Sequence, residues 1–294
     1  MPETSIYREV DLTGTPEQVT RSTWLLSGFP NLIFVVGDNG ILVVDTGLGD
    51  HNGTVVSRLA GLLSPVGKFF VTTTHFHPEH AAGIGGFPST AVLIRPRAQQ
   101  DELDDLGEAV LATFRESARF GPATAHTGSP RPADVTFERE AELDLGGVSV
   151  RLMHLGAGHT LGDELIYVEQ DQVLITGDIV QNKVVPIAAT PGATYASWLT
   201  VLESLSSLNP AIVIPTHSPV GDASLIPQEI AFITDMRDRM AALKSAGLSA
   251  EDAAPRLAEA FGKHYPDWAA NPHWPNVGTP FGIDGFARRL YQEI

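Results

Sequence analysis

The stretch Val71-Thr-Thr-Thr-His-Phe-His-Pro-Glu-His80 constrains this chain more than any other. It sets three imidazoles and a carboxylate within six residues, directly after an apolar run. Side chains alternate along an extended segment, so a short strand-like stretch places His75 and His77 on one side. Pro78 suits the first turn of a helix, where a missing N–H costs nothing. The bend that follows aims Glu79 and His80 elsewhere, so this one segment can serve two adjacent metal ions. A loop of solvated histidines is the alternative, and so dense a run of ligand-type residues beside an acid argues against it.

With no cysteine in the chain, neither thiolate ligands nor disulfides are available. Any metal therefore rests on His, Asp and Glu. The net charge of −16 disfavours nucleic acid or an anionic membrane as partner. No apolar stretch approaches transmembrane length, and the amino terminus lacks the basic start and apolar run of a secretory signal. The expectation is a cytoplasmic protein acting on a small molecule, with the oligomeric state open and a dimer one option.

Residues 32–36 and 41–44 are continuous apolar runs around Gly37-Asp-Asn-Gly40, a hairpin signal between strands buried on both faces. A helix over 53–64 and a strand over 68–74 lead into the histidines. Residues 81–87 are small and glycine-rich, allowing close packing behind them. A strand follows at 91–94, a helix over 98–120, and a loop over 121–134 rich in Pro, Gly, Thr and Ala. Strands resume from Val135, with a helix over 194–208, a strand over 211–215, and helices over 225–245 and 249–263. The aromatic positions Tyr265, Trp268, Trp274, Phe281 and Phe286 predict a packed cap.

Three further polar residues stand where apolar strands stop or turn, the places at which sheet-based sites gather ligands. His159 lies in Gly156-Ala-Gly-His-Thr-Leu-Gly-Asp163, Asp178 ends an apolar strand, and His217 follows another. Each alone is more often an ordinary strand-end residue; beside the histidine cluster they become candidate ligands.

Taken in order, His75-Phe-His-Pro-Glu-His80, Gly158-His159-Thr160, Gly177-Asp178 and Thr216-His217-Ser218 resemble the metallo-β-lactamase superfamily of metallo-hydrolases. The resemblance spans residues 31–221. It implies an α/β fold, a four-layer αββα sandwich with the metals at one edge of the paired sheets, here with extra C-terminal helices. We expect a single domain over 1–294, with its motif-bearing core at about 23–221 and a helical extension over 222–294.

Carried over position by position, the resemblance makes His75, His77 and His159 ligands of a first metal. His80 and His217 would hold a second, with Asp178 bridging the two. Glu79 stands where the family normally has a second-metal Asp. Being one methylene longer, it either reaches the metal or hydrogen-bonds a water there. Asp45 would support a ligand histidine. The implied cofactors are two divalent ions, zinc by default, with iron or manganese also compatible with such ligands.

The activity implied is hydrolysis of a small ester, thioester, lactone or amide by a metal-bound hydroxide, with Asp178 or Glu79 orienting it and passing a proton to the leaving group. The bridging aspartate resembles the glyoxalase II and lactonase branch more than the true β-lactamases. The alternatives are a mononuclear iron persulfide dioxygenase of the same fold, or β-lactamase activity. Lys183 is a substrate-binding candidate, since some relatives bind an anionic group there. Asp163 is expected to shape the turn after His159. His154 is expected to be packed or hydrogen-bonded, and His51, His126, His264 and His273 to be structural or solvated.

Overall fold

The computed structural model describes residues 12–64, 67–268 and 282–294. His273, Trp274 and Phe281 fall outside the described residues.

The first sheet takes its seven strands in sequence order: β1 (Glu17–Gln18), β2 (Thr23–Leu26), β3 (Leu32–Val36), β4 (Gly40–Val44), β5 (Lys68–Thr72), β6 (Val92–Pro96) and β7 (Val135–Phe137). β1 to β4 are antiparallel neighbours, and β3 and β4 form the hairpin that Gly37 to Gly40 encode. From β4 onward the pairing is parallel. Each parallel return needs a crossover. Helix α1 (Gly49–Leu63) supplies the first, and the others carry the short α2 (Pro78–Ala81), the long α3 (Arg97–Glu116) and a one-turn α4 (Gly121–Thr124). That last turn interrupts what the composition of 121–134 had suggested was loop throughout.

The second sheet holds β8 (Glu140–Asp144), β9 (Ser149–Met153), β10 (Leu165–Val168), β11 (Val173–Gly177) and β12 (Ile212–Pro215). β8 to β11 form an antiparallel meander. β12 returns parallel to β11 through α5 (Tyr195–Leu205). Helices α6 (Leu225–Ser245), α7 (Ala250–His264) and α8 (Ile283–Glu293) complete the described chain.

Four layers follow from where the apolar faces go. Ile33, Val35, Leu42 and Val44 of the first sheet meet Val150, Leu152, Ile166 and Ile175 of the second. The outer face of the first sheet packs Phe34, Val43 and Val71 on Val56 and Leu59 of α1. The outer face of the second packs Leu165, Leu174 and Val213 on Trp198, Phe232 and Leu257 of the helices. This is the αββα sandwich. Strands buried on both sides lose the polar alternation of a surface sheet, which is why their sequences read as continuous apolar runs.

Two glycine contacts set the depth of packing near the edge. A Cβ at Gly53 would fall 1.7 Å from the Gly83 carbonyl oxygen, so α1 presses directly on the glycine-rich turn behind His80. Gly177 has φ +55°, and a Cβ there would lie 2.7 Å from that of Thr74. The end of β11 can therefore reach the backbone that delivers the histidines.

Candidate metal centre

One edge of the sandwich collects the polar strand ends. β4, β5, β11 and β12 all finish there, and the β9–β10 connection opens there. Hydrogen bonds clip the sheets together at this edge: Asn31 N–H to Thr216 O at 2.7 Å, and Glu164 N–H to Thr74 O at 2.7 Å.

The structure places His75 and His77 in a series of bends after β5 and not in the strand itself. Strand alternation is thus not what brings them together; the tight backbone ahead of Pro78 is. Pro78 opens α2, as its missing N–H allows. His75 Nε2 and His77 Nδ1 are 3.0 Å apart, and His159 Nε2 is 3.2 Å from the same His77 nitrogen. Nitrogens bound tetrahedrally at about 2.05 Å would stand about 3.3 Å apart, so this spacing suits one shared ion.

His80 Nε2 and His217 Nε2 approach to 3.2 Å, and Glu79 Oε1 lies 3.9 Å from His80 Nε2. Glu79 Oε2 is buried without a hydrogen-bond partner among the described residues, an arrangement that suits a cation. Asp178 stands between the groups, with Oδ2 at 3.5 Å from His159 Nε2 and Oδ1 at 3.5 Å from His217 Nε2. Three sets here could hold an ion: His75, His77 and His159; His75, His80 and Asp178; and Glu79, His80 and His217.

The outward nitrogens are engaged as ligand histidines require. His159 Nδ1 donates to the Ile187 carbonyl at 2.6 Å, and His80 Nδ1 donates to Asp45 Oδ2 at 2.9 Å. Asp45 also accepts from the Thr74 N–H at 2.7 Å and holds a left-handed backbone at φ 67°. Thr216 Oγ1 and Gln181 Nε2 donate to Asp178 Oδ1 at 2.6 and 3.2 Å.

Protonation follows burial and neighbours. Burial, with the surrounding imidazoles, holds His75 and His77 well below the usual histidine range, leaving neutral rings with free lone pairs. Burial also lowers His80, but the Asp45 carboxylate outweighs it and holds the ring at about 9. Burial pushes Glu79 up to about 7. It pushes Asp178 in the same direction, yet His217, His159 and His80 prevail and hold this carboxylate well below its ordinary value.

Several supports were not singled out in the sequence. Glu102 on α3 accepts the Leu161 N–H at 3.1 Å and the Gly162 N–H at 3.2 Å. Gln99, one turn earlier, donates to Thr73 O at 2.7 Å and Gly162 O at 3.1 Å. α3 therefore braces both the bend carrying His75 and the loop carrying His159. The signal was weak: Gln and Glu three apart on a helix usually mark a solvated face.

Asp163 accepts from Gly158 N–H and from Thr160 N–H and Oγ1, shaping the turn as expected. His154 Nδ1 bonds the Asp163 carbonyl at 3.0 Å. His51, His126 and His264 are exposed. Lys183 is not brought to the cluster: its ammonium pairs with Asp267 at 2.5 Å. The cavity beside His159, Asp178 and His217 is instead lined by Gln181, Val184, Val185, Pro186 and Ile187. No described helix is long and apolar enough to cross a membrane.

Comparison with known proteins gives the site its context. The profile of the metallo-beta-lactamase superfamily matches residues 27–217. A linear primary-alkylsulfatase from Pseudomonas sp. (strain ATCC 19151) is 25% identical over 230 residues, covering 67% of this chain and 43% of that protein. The chain thus spans less than half the length of that curated relative. Among solved structures, the sec-alkylsulfatase Pisa1 from Pseudomonas sp. aligns with a TM-score of 0.74 at 15% identity, covering 95% of this chain and 50% of that one. The DIM-1 metallo-beta-lactamase aligns at 0.60 and 19% identity, covering 75% and 96%. A metallo-beta-lactamase from Pontibacter korlensis aligns at 0.58 and 18%, covering 74% and 98%. At these identities the structural likeness is one of fold.

Proposed function

This chain belongs to the metallo-beta-lactamase superfamily of metallo-hydrolases, and on that premise we propose that it is a metal-dependent hydrolase of a small ester, with alkyl sulfate esters the first class to test. The observation that carries the reading is the pair of donor groups meeting at Asp178, three imidazoles on one side and Glu79, His80 and His217 on the other. His75, His77 and His159 would hold one divalent ion, and His80, His217 and Glu79 a second. Asp178 would bridge them. The nitrogen and carboxylate donors make zinc the default.

Bound ions would supply Lewis acidity and make water acidic enough to ionise near pH 7. The chain's own residues do the rest. Thr216 and Gln181 fix one oxygen of Asp178 by hydrogen bonds, so this carboxylate has a set orientation toward an attacking water. Its other oxygen, Oδ2, on the His159 side, would accept a hydrogen bond from that water and so orient it. Glu79 Oε2, without a hydrogen-bond partner among the described residues, would be the acceptor that takes the proton and passes it to the leaving oxygen. Val184, Val185, Pro186 and Ile187 exclude water from the flank of the cavity.

Two features favour a substrate with an apolar organic part. Leu161 and Val220, following His159 and His217 closely in sequence, leave 38% and 37% of their surface exposed. The sec-alkylsulfatase structure aligns with 95% of the chain, whereas the DIM-1 metallo-beta-lactamase structure covers 75% of it. Metal analysis of the purified protein, followed by a panel of alkyl sulfates, carboxylic esters, thioesters, lactones and β-lactams, tests the reading. Turnover of at least one class that chelation abolishes and zinc restores is the expected result. One iron per chain with oxygen uptake on glutathione persulfide would replace it with the dioxygenase alternative.

A further inference from the structure

We propose that the cavity of about 550 Å³ between residues 187–191 and α8 receives the apolar chain of the substrate, an inference that rests on the hydrolase reading above. The segment Val184-Val-Pro-Ile-Ala-Ala-Thr-Pro191 is apolar except for Thr190. Its first four residues face the small cavity beside His159, Asp178 and His217. Residues 187–191 face the larger one, and Ile187 lines both. Ile187 is thus the wall that the two cavities share, so a space large enough for several methylenes lies one side chain away from the reacting edge.

The far wall explains why the occupant is apolar. Tyr195 is buried behind this wall, and Gly285 keeps α8 thin where it lines the space. Arg288 and Arg289 also border it, but each already has a carboxylate: Arg288 Nε lies 2.9 Å from Asp284 and Arg289 Nε 3.3 Å from Glu293. With those charges paired, Thr190 and Gln292 are the other polar groups, and Ile187, Ala188, Ala189 and Pro191 supply the aliphatic wall that would hold a ligand's chain.

The partition between the cavities also holds a proposed ligand. Ile187 O accepts from His159 Nδ1, and the Ala189 N–H donates to His159 O at 2.7 Å. A chain seated against residues 187–190 thus presses on the segment that fixes His159 on both its ring and its backbone. Substrates that fill the cavity are then favoured in turnover as well as in binding.

The experiment is a chain-length series from C2 to C10, offered to the zinc-loaded protein as alkyl sulfates and as alkyl acetates. Each methylene that reaches the cavity contributes up to about fourfold in kcat/KM, so the C8 to C2 ratio in wild type should exceed about tenfold. Ala188→Phe from one wall and Gln292→Trp from the other should each cut that ratio fivefold or more. A flat series, or a ratio unmoved by both variants, overturns the proposal.

If no ester in the series turns over, the wider substrate panel decides the hydrolase reading, and the cavity is tested by binding. Trp198 stacks on Tyr195 at 6.1 Å between ring centroids. 1-Octanol should therefore shift tryptophan emission saturably in the wild-type protein and not in either variant. Absence of a saturable shift in the wild-type protein overturns the inference.

Discussion

The carboxylate of Asp45 and the imidazole of His80 meet at 2.9 Å, both fully buried, and fix which histidine nitrogen faces the metal edge. Asp45 follows β4 and His80 sits in α2, so the contact joins two crossovers of one sheet. Asp45→Ala and Asp45→Asn should weaken zinc binding by about 10- to 100-fold, since the first removes and the second leaves uncharged the acceptor that orients the candidate ligand ring of His80. Zinc competition against a chromophoric chelator reads this directly. Unchanged affinity in both variants would show that Asp45 serves the fold alone.

His75→Ala removes a donor from the shared cluster, and Asp178→Asn replaces its carboxylate by a neutral amide. Metal content should fall with each, and turnover should drop to about 1% of wild type or less, with far-UV circular dichroism unchanged. Full turnover in either variant would mean that the reaction runs elsewhere.

Glu102 holds the loop after His159 through the N–H groups of Leu161 and Gly162. Glu102→Ala strands two donors and should cost about 1–3 kcal/mol of stability, along with a loss of zinc affinity. Glu102→Gln keeps an acceptor and should recover most of both. Urea unfolding of the two variants separates this outcome from a role for the charge itself.

Asp171, in the β10–β11 turn, accepts hydrogen bonds from Ser22 N–H and Oγ at 3.2 and 2.7 Å, from Thr23 Oγ1 at 2.9 Å, and from Thr20 Oγ1. Partial burial raises its pKa, and these donors more than offset that, leaving it lowered. A carboxyl with a lowered folded pKa stabilises the fold above its unfolded pKa of about 4, and the benefit fades as pH falls through the folded value. Asp171→Asn should therefore lose about 1 kcal/mol at pH 6, a figure reduced for solvent screening. It should approach wild type near pH 2.5. Denaturant melts at both pH values check the sign.

Glu229 on α6 presents the opposite case. It is fully buried, and neither carboxylate oxygen completes a hydrogen bond among the described residues. Burial raises its pKa well above the ordinary value, so the folded state retains a proton that the unfolded state has lost. Stability then declines as pH rises above about 4.5 toward the folded value. Glu229→Gln removes that decline and should gain about 1–3 kcal/mol at pH 8 relative to pH 5. A variant that loses stability equally at both pH values would refute the account.

The residues that carry their information locally were the legible ones. The β3–β4 hairpin announces itself in Gly37-Asp-Asn-Gly40, and Pro78 marks the start of α2. His75, His77, Glu79 and His80 stand together in sequence, and the resemblance added His159, Asp178 and His217. What escaped was tertiary. Nothing in the isolated sequence shows that Gln99 and Glu102 turn inward, because their role depends on where α3 crosses the sheet. Asp45 gives no hint of its left-handed backbone, which the surrounding hydrogen bonds impose. The alternation argument for His75 and His77 reached the right neighbours by the wrong route. Lys183, judged on its position after Asp178, is turned instead to Asp267 by a charge 84 residues away.

The donors are divided between the two sheets: His75, His77, Glu79 and His80 belong to crossovers of the first, and His159, Asp178 and His217 to loops of the second. A metal bound across that seam is a rivet as well as a reagent. Its grip reports how well the halves of the sandwich are seated, so a distant mutation that merely loosens their docking would be felt first as lost metal, before any helix or strand had melted.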